Sequence, residues 1–372
     1  KEFLGDNEFS SIIADGAISG VGSVVLFLPN IVILFFGIAL LETTGYMSRV
    51  AFLLDGFFHK FGLHGKSFIP LVTGFGCSVP AYMAARTLKN ERDRLLTLFI
   101  IGFMSCGARL PIYVLFVGAF FSESNAGNIL FLIYISGAIF GLIAAKVLKI
   151  VVFKSEDEPF VMEMPKYRLP SFRLIYHTVS NQAKMYLKKA GTYILAASLL
   201  IWFASNYPKH LDIEHSYNEK IELTMNSDEK TTLKNELSQY NLEHSYLGYI
   251  GKYSEPLFQP LGFDWKMTIA LETGLAAKEI VISTLSILYG LGSENDESSS
   301  SLMEKIKNNI TIESAISFIV FVMIYLPCLA ASMVFVRETG NWKYLAYLFI
   351  FTTISAWLLS FFAYNISKII VT

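Results

Sequence analysis

Charge is what this chain has least of. Only 16% of its 372 residues are Asp, Glu, Lys or Arg, while 53% are hydrophobic and the mean hydropathy is +0.48. A soluble domain carries roughly 25% charged residues. The deficit is concentrated in apolar runs longer than ~18 residues, the length that marks a membrane-spanning candidate. An excess of one sign is missing too: the net charge is −1, with no basic tail and no basic-aromatic block, which excludes nucleic acid as a partner. Cysteine is scarce. Cys77, Cys106 and Cys328 all lie inside apolar runs, and an odd number so placed is no disulfide framework. The sequence also lacks a His-Glu-x-x-His zinc motif and a Gly-x-Ser-x-Gly elbow. Gly62-Leu63-His64-Gly65-Lys66-Ser67 ends like a phosphate-binding loop, but Lys60 stands where that loop needs glycine and no strand precedes it, so no nucleotide site is expected. The chain opens at Lys1 with neither an initiator Met nor a signal pattern, and a piece of a longer protein is the expectation.

What is present is a series of apolar runs between polar breaks, eight in number, near 20–41, 66–88, 95–121, 127–152, 190–206, 266–292, 312–336 and 343–367. The expected fold is an all-α polytopic membrane protein surrounded by a lipid bilayer. Arg86, Lys89, Arg92 and Arg94 crowd the stretch 86–94, and nine Lys or Arg lie in 146–189, whereas 122–126 has none. Basic loops stay in the cytoplasm, so eight crossings put both termini inside and the segment 206–265 outside, with its ten acids and five lysines. The turn Arg337–Lys343 then falls outside against the rule, and 42–65 is apolar enough to lie in or cross the interface. His59, His64, His210, His215 and His244 all fall on the outer side in this scheme; the stretch His210–His215 could collect a divalent cation weakly, or be an ordinary solvated loop.

A shift of 200 aligns 57–77 with 257–277 without a gap, matching Phe58, Gly62, Lys66, Ile69, Leu71, Thr73 and Gly74 with Phe258, Gly262, Lys266, Ile269, Leu271, Thr273 and Gly274. A shift of 222 then matches Phe99, Cys106 and Ala108 with Phe321, Cys328 and Ala330. The expected organisation is a juxtamembrane segment 1–19, a first repeat 20–153, a cytoplasmic connector 154–189 and a second repeat 190–372, each repeat of four spans entering the membrane in the same direction. Transporters are commonly built this way, with the site where the halves meet; duplication for packing alone is the alternative.

The runs are interrupted at their centres. Gly74, Gly76 and Pro80 surround Cys77 and Ser78; Gly107 and Pro111 follow Met104-Ser105-Cys106; Pro327 precedes Cys328. Such breaks free backbone groups that lipid cannot satisfy, so they must face protein or a water-filled path. Thiols and thioethers there favour softer metals over Mg2+ or Ca2+; kinks packed with small buried cysteines are the alternative. Glu42, Glu272 and Glu279 are the candidate carboxylates, the last two seven apart and so on one helix face. Arg109 and Lys278 lie within spans, where an unpaired charge costs at least ~2.5–3.5 kcal/mol, so structural pairing with those carboxylates is expected.

These residues resemble a known family. Gly45-Tyr46-Met47-Ser48-Arg49, Gly65-Lys66-Ser67-Phe68-Ile69-Pro70-Leu71, Gly74 through Pro80, Ala85-Arg86-Thr87-Leu88 and Met104 through Pro111 resemble the first gate region of bacterial ferrous iron transport protein B. Glu272 through Glu279, Pro327-Cys328 and Arg337-Glu338-Thr339-Gly340 resemble its second gate. The resemblance implies a multi-pass permease of the bacterial inner membrane carrying Fe2+, with no tightly bound cofactor and no enzymatic activity of its own. GTP would act through a cytoplasmic GTP-binding domain that family members carry before the membrane part, and small accessory proteins are further implied partners. A transporter of another divalent metal or of a nucleoside, or a scaffold without a pore, are the competing readings.

Overall fold

The computed structural model describes residues 19–152, 167–185, 191–209, 211–223, 227–292 and 299–371. The juxtamembrane segment 1–18, most of the acidic part of the connector, His210 and the Ser-rich stretch 293–298 lie outside the described residues. Within them every regular element is helical, as a chain embedded in lipid requires, since each helix satisfies its own backbone.

Helix α1 (Ser19–Thr43) is apolar all round. Gly45, at φ 78°, turns the chain into α2 (Tyr46–His59), which leaves at 79° to the last part of α1. One face of α2 is buried through Met47, Ala51 and Phe58, while Phe52, Leu53 and Phe57 are exposed. At ~1.5 Å per residue α2 is too short to cross a hydrocarbon core of ~30 Å, so it suits the interface. Next come α3 (Phe68–Gly76), α4 (Ser78–Ala84), α5 (Glu91–Ile101), α6 (Leu110–Phe120) and the long apolar α7 (Glu123–Val151). The second half follows α8 (Phe172–Met185): α9 (Gly191–Asn206), α10 (Leu211–Leu223) and α11 (Ser227–Glu243) in the polar segment, then α12 (Tyr246–Phe258), α13 (Trp265–Ala276), α14 (Ile280–Leu288), α15 (Ser300–Asn309), α16 (Ile312–Ile324), α17 (Leu329–Thr339) and α18 (Trp342–Val371).

The run 66–88 does not cross as one helix. Its entry and the start of α5 lie side by side: His64 Nε2 is 3.1 Å from Asp93 Oδ2, and the Thr97 hydroxyl donates to Ser67 Oγ at 2.9 Å. Deeper in, a Cβ on Gly74 would lie 3.6 Å from the Ile101 carbonyl, so α3 and α5 run inward together. Between them α4 returns. It packs along α17, with Tyr82 edge-on to Phe335 and Arg86 donating from Nε to Glu338 at 2.7 Å. Helices α3 and α4 thus form a hairpin that enters and leaves on one face. The run 266–292 behaves alike: Lys266 Nζ is 4.7 Å from the centre of the Tyr289 ring, so α13 and α14 begin and end at one level. A Cβ on Gly262, at φ 80°, would strike Tyr364 and Ser314, which sets the start of α13 beside the start of α16.

Two sequence expectations change as a result. His64 and the basic stretch 86–94 share one face, so His59 and His64 do not belong with the polar segment 206–265. The two halves also enter from opposite faces. Arg86, where the first hairpin leaves, meets Glu338 at the far end of α17, while Gly118 at the far end of α6 lies against Met303 of α15. Among the described residues three helices are long and apolar enough to cross a membrane, four if the bent pair of α1 and α2 is one span; a hairpin that turns back takes one crossing out of a half and so changes the face on which that half ends. The turn Arg337–Lys343 then joins the other basic segments, and its conflict with the charge rule disappears.

Candidate functional site

Positions 200 apart in the sequence adopt the same backbone conformation. Cys77, between α3 and α4, has φ −154° and ψ 132°; Ala277, after α13, has φ −148° and ψ 130°. Gly62 and Gly262 have φ 82° and 80°. At the shift of 222, Cys106 (φ −74°, ψ 162°) matches Cys328 (φ −58°, ψ 159°), each just before the second piece of a broken helix. The prolines fit this pattern. Pro80 and Pro111 fall in first turns, where a missing N–H leaves nothing unsatisfied, and Pro327 lies in the gap between α16 and α17.

The four interruptions converge. A Cβ on Gly107 would stand 3.5 Å from the Gly76 carbonyl, and one on Gly102 would stand 3.7 Å from Pro327 Cδ and from the Tyr82 hydroxyl. Cys77, Cys106 and Cys328 are half-buried free thiols, and Cys77 lies within electrostatic reach of the other two and of Glu279. These four are the expected pathway residues that the fold brings together, with Ser78 buried at the tip beside them. Among the described residues, no three His, Cys, Asp or Glu side chains gather as a group that could hold a metal ion.

Other expected residues go elsewhere. Ser105 Oγ is 3.1 Å from the Tyr113 hydroxyl, and buried Met104 packs against Gly74 and Gly141. Glu272 accepts from Ser254 of α12 at 2.6 Å. It does not share a helix face with Glu279, because the helix stops at Ala276 between them. Glu42 is exposed at the end of α1.

The buried cations have partners of an unexpected kind. Arg109, 2% exposed, donates from Nη1 to the carbonyls of Gly102 (3.0 Å) and Met323 (2.8 Å), and from Nη2 to that of Tyr325 (3.2 Å). Lys278, 1% exposed, donates from Nζ to the Leu326 carbonyl at 2.9 Å and lies 3.0 Å from the centre of the Tyr325 ring. The expectation of carboxylate pairing is thereby corrected. A helix leaves its last carbonyls without partners and with partial negative charge, and the broken helices α5 and α16 present such ends in the protein interior. Tyr325 and Tyr82 are not among the residues that the sequence singles out. Their signal was a phenol in an apolar run beside a break.

Oppositely entering hairpins that meet broken helices define a class of helical membrane protein whose interrupted helices converge in the protein interior. Comparison with known proteins narrows this. The Gate family, described as nucleoside recognition, matches residues 24–120 and 187–342, and the family described as the C terminus of ferrous iron transport protein B matches 130–181. The chain is 60% identical over its whole length to the Fe(2+) transporter FeoB of Campylobacter jejuni and 54% to that of Helicobacter pylori strain J99, spanning 57% and 59% of those proteins. It is 44% identical, over 98% of its length, to a Fe(2+) transport protein A/Fe(2+) transporter FeoB fusion protein of Porphyromonas gingivalis, of which it covers 45%. No solved structure matches. The chain belongs to the Gate family and, within it, to the ferrous iron transport protein B group.

Proposed function

We propose that the chain is the permease core for ferrous iron, two inverted gate repeats of three crossings each around a path past Cys77, Cys106, Cys328 and Glu279. The observation that carries this is the convergence of the four interruptions, with Cys77 and Glu279 at the tips of hairpins that open to opposite faces and Cys106 and Cys328 at the breaks of the helices beside them. Fe2+ sits low in the affinity order of divalent ions. A path of half-buried thiols that do not close into a resident site suits an ion that must bind and then leave. The basic face is cytoplasmic, and the chain is multi-pass in the bacterial inner membrane.

No phosphate-binding loop lies in these residues, so GTP acts through a domain outside them, docked on the basic face. Tyr167 of the connector, with its ring 3.7 Å from the Arg49 guanidinium, ties that face to α2. The fusion relative supports a small accessory protein as a further partner. The role is transport rather than catalysis. Uptake of Fe2+ into proteoliposomes containing residues 1–372, with Mn2+, Zn2+ and a nucleoside as competitors, tests the reading. Saturable Fe2+ entry is the expected result. Nucleoside entry without Fe2+ entry would assign another solute, and entry of neither would leave a scaffold.

A further inference from the structure

Most of the carbonyls that the two helix breaks turn inward accept from a cation within the protein. Carbonyls 102, 323 and 325 accept from Arg109 and carbonyl 326 from Lys278, while carbonyl 327 accepts from the Ser332 hydroxyl at 3.3 Å. Each cation also bridges two interruptions. Arg109 stands at the α5/α6 break and reaches into the α16/α17 break; Lys278 stands at the tip of the second hairpin and reaches into the same place. Unwound carbonyls and half-helix C-terminal ends are the groups with which broken-helix transporters coordinate a driving Na+. Oxygen ligands of that kind are the preference of hard cations. A guanidinium and an ammonium placed on them satisfy the same dipoles permanently.

We propose that Arg109 and Lys278 are fixed substitutes for coupling cations. They occupy the carbonyl ends where a hard monovalent ion would bind, and they leave the thiols and Glu279 as the ligands open to a softer divalent ion. The core is therefore indifferent to Na+ and K+, and its preference among cations is set as much by the two residues that close the oxygen sites as by the cysteines that offer sulfur. Asymmetry between the halves supports this role. The repeat counterpart of Lys278 is Ser78 and that of Arg109 is Ala331, so the cations are not inherited packing features of each repeat but single additions that together serve one shared break.

The inference rests on the reading of the chain as an ion-conducting core, and two readouts separate the two ideas. In proteoliposomes of the whole chain, Fe2+ uptake should be the same with an inward Na+ gradient, an outward one, or choline in place of Na+, and no radioactive Na+ should enter. Lys278→Met and Arg109→Met, which keep bulk and remove charge, should gain Na+ entry and a Na+-dependent rise in thermal midpoint. Lys278→Arg should gain neither. Stimulation of wild-type uptake by an inward Na+ gradient would overturn the proposal, as would folded Lys278→Met protein with no response to Na+ in either readout. If wild-type protein carries no Fe2+, the permease reading fails, while the Na+-dependent thermal midpoint of Lys278→Met still decides the carbonyl occupancy.

Discussion

At the scale of single residues, the centre of this protein is governed by what its two buried cations touch. Charge in a span demands a partner, and spacing alone points to Glu272 and Glu279, which a continuous helix would place on one face. The backbone supplies the partner instead, because each broken helix exposes a carbonyl end that needs a donor as much as Arg109 and Lys278 need acceptors. The thiols stand next to these ends. If they are ligands on the path, Cys106→Ser should lower Fe2+ uptake about tenfold at unchanged abundance, since a hard oxygen replaces a soft sulfur of similar size. Cys77→Ser and Cys328→Ser should act in the same direction. Normal uptake by the triple serine variant would return all three cysteines to packing.

At the scale of elements, the first hairpin is held at its open end by the contact between the loop before α3 and the first turn of α5. Asn90 caps that turn, accepting from the backbone N–H of Arg92 at 3.0 Å and of Asp93 at 3.5 Å. The hydrogen bond that His64 donates to Asp93 raises the His64 pKa above the usual histidine value; the Asp93 and Asp55 charges add to the effect, while burial and Lys149 oppose it. A histidine raised on folding stabilises the protein fully below the unfolded value of about 6.5, and that contribution fades as pH climbs through the folded value. Asp93→Asn should therefore lower stability by about 1–2 kcal/mol near pH 6 and by distinctly less near pH 8. Thermal unfolding in detergent at the two pH values measures this, and a difference that grows with pH would show that the pair contributes no charge.

At the scale of the whole molecule, the decisive feature is the opposed entry of the two halves. It places the stretch 86–94 and the turn Arg337–Lys343 on one face and the polar segment carrying α10 on the other. A cysteine introduced at Asn90 and one at Asn341 should both be shielded from an impermeant thiol reagent in intact cells, whereas one at Asn218 should react. Labelling of Asn341→Cys together with Asn218→Cys would restore the arrangement of eight crossings and dismiss the inverted one. The shared face also gathers the connector, α2 and the open end of the first hairpin, so a cytoplasmic domain docked there would lie directly against that hairpin.

The sequence by itself determined that the chain is helical, that it lies in a bilayer, that Gly62, Cys77 and Cys106 have counterparts near 200 residues on, and that the breaks fall at Cys77, Cys106 and Cys328. Those properties follow from local composition, from the cost of unsatisfied backbone in lipid and from direct comparison of one stretch with another. The family was legible too, because its motifs are the breaks themselves. Only the tertiary structure decided whether an apolar run crosses or turns back, since a hairpin and a span of 23 residues bury equally apolar side chains and differ only in whether their ends meet. That distinction reversed the second half, moved His64 beside Asp93, and separated Glu272 from Glu279. It also assigned Arg109 and Lys278 to backbone carbonyls, an outcome invisible to residue spacing because an acceptor of that kind belongs to every residue and becomes available only where the fold interrupts a helix.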